Sequence, residues 1–402
     1  MTFALVWGWI FPTLTWLLAF GWLWQLVQWL LHFPELDDLN RISLQYLPDW
    51  GADSPQLTVV VPACNEESSI AATLRSLLNS EGIRLQIIAV NDRSTDSTGE
   101  IIDAVAEQYR PTAGIHTLQL IHIKELPLGW LGKPHAVSTA AALAEAEWIL
   151  FTDGDVLFAP PAANLALRYA LEKKTDHLVL MPDWTMKSVG EAAMHGAMHA
   201  LSTWTLRLWR VADPKAKDFL GVGAFNLVRR DVYKELGGFA SLRMEVLEDV
   251  RFGWKLKRAG YRSRVVLGPG LAAVRWSEGA WGVVRNLEKN LFSLYRFNVP
   301  ITVFACLGLA VQIVWPIAAI VHGGWARWGG FAVYAAIAGL YGVSSKVTRV
   351  RPVYVVLYPL AASLFLFAMV RSMTLALVRG GVKWRGTLYS LKELRSNAGR
   401  FW

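Results

Sequence analysis

Two cysteines in 402 residues, Cys64 and Cys306, sit in unlike contexts and supply neither a disulfide framework nor a cysteine metal cage. Internal repeats and low-complexity tracts are also missing, so no solenoid or compositionally biased tail is expected. The net charge is +8, yet the basic residues are interleaved with apolar runs instead of being gathered into polar arms. That pattern speaks against nucleic acid as a partner and for a membrane surface or a phosphorylated substrate. Charge is absent altogether from Thr2–Leu31. The same stretch lacks a basic amino-terminal region and a small-residue cleavage site, so it is expected to be an anchor and not a signal peptide.

What the chain has in excess is hydrophobicity. It is 53% hydrophobic and carries 20 tryptophans, well above soluble usage. Thr2–Leu31 and Pro300–Val321 are long enough to cross a bilayer core of roughly 30 Å. Gly330–Val343 is a shorter third candidate, and Val353–Val370, ending at Arg371, is a fourth. Trp24, Trp29, Trp325, Trp328 and Tyr354 near the ends suit an interfacial belt. An integral membrane protein is expected, with residues 1–31 as an anchor, 32–56 as a connector and 299–371 as two or three further spans. Residues 372–402 form a basic tail. The basic groups at Lys346, Arg349, Arg351 and at Arg379, Lys383, Arg385, Lys392, Arg395 should both face the cytosol. One span between them cannot achieve that, so either Val353–Val370 is re-entrant, one basic group faces outward, or Gly330–Val343 fails to cross.

Between the spans the pattern alternates. Leu57–Val61, Leu85–Val90, Ile115–Ile123, Trp148–Thr152, His177–Pro182 and Tyr261–Leu267 read as strands. Glu66–Asn79, Ser94–Gln108, Pro134–Ala144, Pro161–Lys173, Val189–Arg210 and Val246–Ala259 read as helices. Such alternation predicts an α/β fold with a mostly parallel sheet and crossover helices, and ligands at the carboxyl ends of its strands. Asn65–Glu66, Asp92 and Asp153–Asp155 all fall there. Asp153-Gly154-Asp155 closes a buried run. Two carboxylates so placed suit a hard divalent cation with a phosphate beyond it, although a plain turn uses the same residues. Trp281–Phe297 places Val284, Leu287, Leu291, Leu294 and Tyr295 on one face, as an interfacial helix over 281–298 would. A core helix is the alternative.

Six motifs in register carry a resemblance: VPACNEE (Val61–Glu67), VNDRSTDST (Val90–Thr98), GWLGKPHA (Gly129–Ala136), TDGDV (Thr152–Val156), GVGAFNLVRRDVYKELGGF (Gly221–Phe239) and LEDVRFGWKLKRAGY (Leu247–Tyr261). Together they resemble a membrane-bound glycosyltransferase of family 2, whose nucleotide-sugar-binding domain, here 57–280, has the fold called GT-A. Similar layouts occur in ceramide glucosyltransferases and in bacterial enzymes of carotenoid and hopanoid glycosylation. The resemblance implies that Asp92 contacts a uracil base, with Asn65, Glu66 and Lys133 lining the nucleotide. It implies Asp155 as a ligand of Mg2+ or Mn2+, with Asp153 either ligating too or holding ribose and sugar. The catalytic base falls at Asp249. A carboxylate next to Glu248 can be held at a raised pKa and take a proton from a hydroxyl.

Where relatives carry a Gln or Arg, two residues and then Arg-Trp, this chain has Ala272 ahead of Arg275–Trp276. Arg275 is expected to bind the diphosphate, with Arg285, Lys289 and Asn290 as a competing set. The incomplete motif and few spans argue against a processive polysaccharide synthase. The expected activity is inverting transfer of a hexose from a UDP-sugar to a lipid hydroxyl, by a catalytic domain on the cytosolic side of the cell inner membrane. A polyprenyl-phosphate sugar synthase is the nearest alternative, and a non-catalytic scaffold or sugar-nucleotide sensor a more distant one. His195 and His199 have zinc-helix spacing but lack the required Glu, which favours packing. Cys64 is expected to be a small buried filler.

Overall fold

The computed structural model describes residues 2–41, 54–109 and 115–397. Residues 42–53 of the expected connector and 398–402 of the expected tail lie outside the described residues. The chain forms two compact units, each assembled from three separated segments. An α/β unit takes Leu36–Thr185, Leu208–Trp276 and Lys383–Trp402; a helical unit takes Met1–Glu35, Met186–Arg207 and Ser277–Val382.

In chain order the first elements are α1 (Thr2–His32), β1 (Leu57–Ala63), α2 (Ile70–Leu78), β2 (Leu85–Asp92), α3 (Thr98–Tyr109), β3 (Thr117–Ile123), α4 (Gly132–Ala141) and β4 (Trp148–Phe151). There follow β5 (Val156–Phe158), α5 (Ala162–Glu172), β6 (His177–Leu180), β7 (Asp183–Trp184), α6 (Val189–Ser202), β8 (Asn226–Arg229), α7 (Arg230–Glu235), α8 (Glu248–Arg258), β9 (Ser263–Val266) and β10 (Ala272–Val274). The last are α9 (Gly279–Leu287), α10 (Asn290–Leu294), α11 (Val299–His322), α12 (Gly324–Thr348), α13 (Tyr358–Val378), β11 (Gly381–Trp384), β12 (Thr387–Ser390) and α14 (Leu391–Asn397).

The main sheet has seven strands in the order β3-β2-β1-β4-β8-β6-β9. All neighbours are parallel except β8, which runs antiparallel to β4 and β6. Apart from the edge strand β3, which is partly exposed throughout, its strands are buried on both faces because alternate side chains serve opposite cores. Val59, Val61 and Ile87 pack with Ile70, Leu74 and Leu77 of α2. Val60, Ile88 and Val90 pack with Ala136, Val137 and Ala140 of α4. The alanines of α4 let that helix approach the sheet closely. The strand order sets the carboxyl ends of β2, β1 and β4 side by side. A second, three-stranded sheet, β5-β10-β7, follows Asp155 directly. The expected mostly parallel α/β fold is therefore present.

In the helical unit three helices, Gly8–Glu35, Val299–His322 and Pro352–Val378, are long and apolar enough to cross a membrane. The expected third span, Gly330–Val343, lies inside the longer α12, which is not among them. α12 returns antiparallel to α11, since a Cβ at Gly330 would meet the Pro316 carbonyl at 2.6 Å. It runs parallel to α1: a Cβ at Gly329 would lie 2.8 Å from Thr15, and one at Gly339 2.7 Å from Leu26. The expected fourth span opens with a 3-10 segment, Pro352–Leu357, and continues past Arg371 to Val378.

The expected single helix over 281–298 is a correction. It breaks into α9 and α10 at Glu288–Lys289. Ser372 Oγ donates to the Glu288 carbonyl and accepts from Phe292 N–H, the two groups that would otherwise bond to each other across one helical turn. Val189–Arg210 likewise stops as an α-helix at Ser202, and Leu208–Arg210 is a separate 3-10 turn.

On β6, between β8 and the edge strand β9, His177 is fully buried, 2.7 Å from Asn226 Oδ1 and 3.2 Å from Ser263 Oγ. Burial pushes its imidazole down to about 4 against the partial opposition of Asn226. The unfolded ring titrates near 6.5, so the neutral-histidine contribution is complete above about 6.5 and is lost as pH falls toward 4. We predict that β6 and β8 amides lose up to ~3 kcal/mol of protection against hydrogen exchange across that window. His177→Gln should flatten the dependence.

Candidate active site

Five segments of the α/β unit supply the site. The β1 end contributes Cys64, Asn65 and Glu66, but much of this corner is spent on structure. Asn65 adopts φ 57, its Oδ1 accepts from Thr95 N–H at 2.8 Å and its own N–H donates to Ser94 Oγ at 3.1 Å. Glu66 N–H donates to Thr98 Oγ1 at 2.7 Å. Asp96 accepts from Thr98 and from Glu67, which caps α3. Cys64 is half-buried, not buried as expected, and burial pushes its thiol up, away from nucleophilic use. At the β2 end, Asp92 has no exposed surface. Arg93 Nε meets its Oδ1 at 2.8 Å, while Arg93 Nη2 at 3.3 Å and Arg385 Nη1 at 2.9 Å meet Oδ2.

The other three segments meet at one ammonium group. Lys133, in the first turn of α4, places Nζ 2.6 Å from Asp153 Oδ1 past β4 and 2.8 Å from Glu248 Oε1 at the start of α8. Burial works to neutralise this lysine, but Asp153, Glu248 and Asp249 outweigh it and hold the charge more firmly than in water. One side chain thus joins two carboxylate pairs that lie far apart in the sequence. The backbone between them is shaped to fit. A Cβ at Gly223 would fall 2.6 Å from Asp153 Oδ2 and 3.0 Å from Lys133 Nζ; one at Gly221 would collide with the Asp249 carbonyl. The glycines ahead of β8 open one of the six motifs that carry the resemblance, but the sequence alone assigns them no role in the site.

The two pairs are not equivalent. Burial first, then Asp153 and Glu66, push the half-buried Asp155 carboxyl up to about 7. Burial first, then Glu248, push Asp249 up to about 6, with Lys133 pulling the other way. Burial also raises Glu66, opposed by the Ser69 hydroxyl and Arg385. Asp155 and Asp153 therefore sit where negative charge is under-compensated. Among the described residues no group of three His, Cys, Asp or Glu is set to hold a metal. Two adjacent carboxylates do fit Mg2+ or Mn2+, which commonly take one or two protein carboxylates and complete their shell with phosphate oxygens and water.

Arg275 reaches this region through the small sheet. β10 pairs antiparallel with β5, Val274 opposite Val156. The pairing ends there, so Arg275 follows the last residue of β10 and Asp155 precedes the first of β5. Trp276 stands edge-on to Trp184 with ring centroids 5.8 Å apart. Of the competing set, Lys289 Nζ donates to Asn290 Oδ1 at 2.8 Å within the helical unit. His199 packs edge-on to Trp29 at 5.0 Å, in line with the packing role expected for that pair.

A parallel sheet with an acidic pair past β4, a second acidic pair opening α8 and a lysine between them defines the GT-A nucleotide-sugar-binding architecture. Residues 58–237 match the model of the family "Glycosyl transferase family 2", and that stretch is a family 2 glycosyltransferase domain. Among similar proteins is the 4,4'-diaponeurosporenoate glycosyltransferase of Staphylococcus aureus strain MRSA252, 26% identical over 199 residues, which is 49% of this chain and 50% of that protein. The strain USA300 counterpart is 25% identical over 199 residues. The chain spans about half the length of the curated relatives it matches. Among solved structures, the mannosyltransferase PcManGT of Pyrobaculum calidifontis, with GDP-Man and Mn2+, superposes at TM-score 0.49 and 19% identity, covering 90% of this chain and 97% of that one. TarS 1–349 of S. aureus with UDP-GlcNAc gives 0.40 at 17% identity, covering 81% and 92%.

We predict that Gly223→Ala, by displacing Asp153 and Lys133, lowers the transfer rate at least about tenfold, equivalent to ~1.4 kcal/mol. Circular dichroism should stay unchanged. Ala at Gly223 with a normal rate and a normal fold would show that the Lys133–Asp153 contact is dispensable.

Proposed function

We propose that this protein is an inverting glycosyltransferase that moves a hexose from a nucleotide-sugar, with UDP as carrier, to the hydroxyl of a lipid in the bilayer. The observation that carries this reading is the buried Lys133 ammonium, which joins the donor-side pair Asp153/Asp155 to the base-side pair Glu248/Asp249. Asp249 takes the proton of the acceptor hydroxyl. The hydroxyl oxygen attacks the anomeric carbon, the bond from that carbon to the diphosphate oxygen breaks, and the diphosphate leaves with the electron pair. A single displacement inverts the anomeric centre. Lys133 and Arg275 supply fixed positive charge toward the diphosphate. Asp155 and Asp153 would hold Mg2+ or Mn2+, which supplies Lewis-acid neutralisation of the leaving group.

An acceptor dissolved in the bilayer is supported by the apolar helices and by the S. aureus relatives, named for 4,4'-diaponeurosporenoate. Within the helical unit, α11 and α12 form an antiparallel pair joined at Gly323. Arg371 on α13 has Nη2 2.9 Å from Glu288 Oε2 at the α9–α10 break, the kind of pairing that a charge in an apolar helix requires.

We predict that Asp249→Asn lowers transfer to a lipid hydroxyl by roughly a thousandfold with nucleotide binding retained. In the parent protein the rate should rise with pH through about 6, where Asp249 loses its proton, and level off above. Full transfer by purified Asp249→Asn would remove the proposed base. Full transfer to polyprenyl phosphate alone would instead favour that acceptor, which is already ionised. For orientation, single cysteines at Arg351 and Lys392 in a cysteine-free background test whether α13 crosses: labelling of one position but not the other in intact cells would make it a crossing, and the same result at both would keep its ends on one side.

A further inference from the structure

The carboxyl-terminal hairpin reaches back to the β2 end of the sheet, where no motif of the family 2 domain places it. Its turn is Arg385–Gly386, and both residues have positive φ, 48° and 79°. A two-residue turn of this kind favours Asn-Gly or Asp-Gly, because a long side chain at the first position meets steric resistance. Here the first position is an arginine, and the conformation aims its guanidinium at Asp92, 2.9 Å away. Tyr389 fastens the same hairpin to the lysine loop, its hydroxyl accepting from Gly132 N–H at 3.3 Å. Gly132 is itself required to be bare, since a Cβ there would lie 2.5 Å from Asp92 Oδ2 and 2.4 Å from Arg93 Nη2.

The hydrogen bonding at this corner points to a ligand. Asp92 is the one carboxylate in hydrogen-bond contact with both guanidinium groups, and Glu66, the next carboxylate, acts on Arg385 only through its charge. Arg385 donates, among the described residues, only to Asp92, so most of its five N–H groups are unspent. Its side chain keeps 14% of its surface exposed, whereas Asp92 keeps none. Its charge also reaches Cys64 and Glu66 at the end of β1. The β2 end lies two strand spacings, roughly 10 Å, from the acidic pair at the β4 end. A diphosphate held at Asp153 and Asp155 would therefore set its nucleoside, not its phosphates, near Arg385.

We propose that the hairpin completes the donor site and that Arg385 is a nucleoside-binding residue, donating to the acceptor oxygens of the base, with Asp92 as its positioning residue. This rests on the nucleotide-sugar reading given above. Arg385 takes the outward contact, and Asp92, sealed beneath two arginines, holds the fork in place.

Calorimetric titration of the full-length protein with UDP and with inorganic pyrophosphate, each with Mg2+, tests it. Arg385→Ala should weaken UDP binding about tenfold or more, leave pyrophosphate binding within about twofold, and raise the donor KM with kcat little changed. Hydrogen exchange at the Tyr389 and Leu391 amides reports whether the hairpin stays docked. If Arg385→Ala releases it, Arg385→Gln, which keeps an N–H for Asp92, decides: weaker UDP binding supports the inference and unchanged binding overturns it. Equal losses for UDP and pyrophosphate would assign Arg385 to the phosphates, and tighter UDP binding would make the hairpin an obstruction; either overturns the inference. A parent protein that binds neither UDP nor GDP would remove the donor reading itself, a different result from unaltered binding in the variant.

Discussion

A lysine ammonium buried among carboxylates is the constraint on which the α/β unit depends. Lys133 can stay charged there only because Asp153 and Glu248 each lie within hydrogen-bond distance. Those two residues in turn can approach only because the chain between them is stripped of side chains at Gly221 and Gly223. Removing one member of such a group strands the others, and the loss then exceeds the contact's own value. The same arrangement sets the chemistry. One lysine cannot neutralise Asp153, Asp155, Glu248 and Asp249, so the remaining negative charge distributes by burial and proximity. It raises Asp155 in the pair past β4 and Asp249 in the pair opening α8. A site that is short of positive charge on one side and holds a weakly acidic carboxyl on the other suits a reaction that expels a diphosphate and collects a proton.

In the helical unit hydropathy and packing rank the helices differently. Hydropathy alone picks α13 over α12, since α13 holds a single charged residue, Arg371, in a long apolar run while α12 carries glycines, serines and Lys346. Packing adds a second measure. The glycines lower the hydropathy of α12 and at the same time let its backbone lie against α1 and α11, which is how small residues work at helix contacts inside a bilayer. A composition threshold counts those glycines against the span; contact geometry counts them for it.

What was legible in the sequence divides along the same line. The parallel sheet, the ends of β1, β2 and β4, and the pairs at Asp153–Asp155 and Glu248–Asp249 follow from local pattern, because burial period and strand-end carboxylates are written within a few residues. The sharing of Lys133 between those pairs was not legible, since it depends on two loops folding onto a third. The β5–β10 pairing that leads the chain to Arg275 joins residues more than a hundred positions apart. The break between α9 and α10 has the same origin: its cause is the Ser372 hydroxyl, inserted from α13, while the Trp281–Phe297 pattern itself shows an unbroken apolar face. Asp92 illustrates a partial success. Motif and strand position both mark it, but only the fold reveals that two arginines have claimed its oxygens before any ligand arrives.

That last point bears on how a nucleotide is recognised at all. A bare aspartate at a strand end offers acceptors to a base N–H. Under Arg93 and Arg385 the same aspartate becomes the foundation for donors, and the groups left facing outward are guanidinium N–H. In the proposed donor site the polarity of recognition is thereby inverted at one position, while the residue that marks the motif stays the same. The change is carried by a hairpin near the chain's far end, held by a left-handed arginine that local propensity disfavours. Local disagreement of this kind, stable only because a buried charge overrides it, marks where long-range contacts have been recruited to a site.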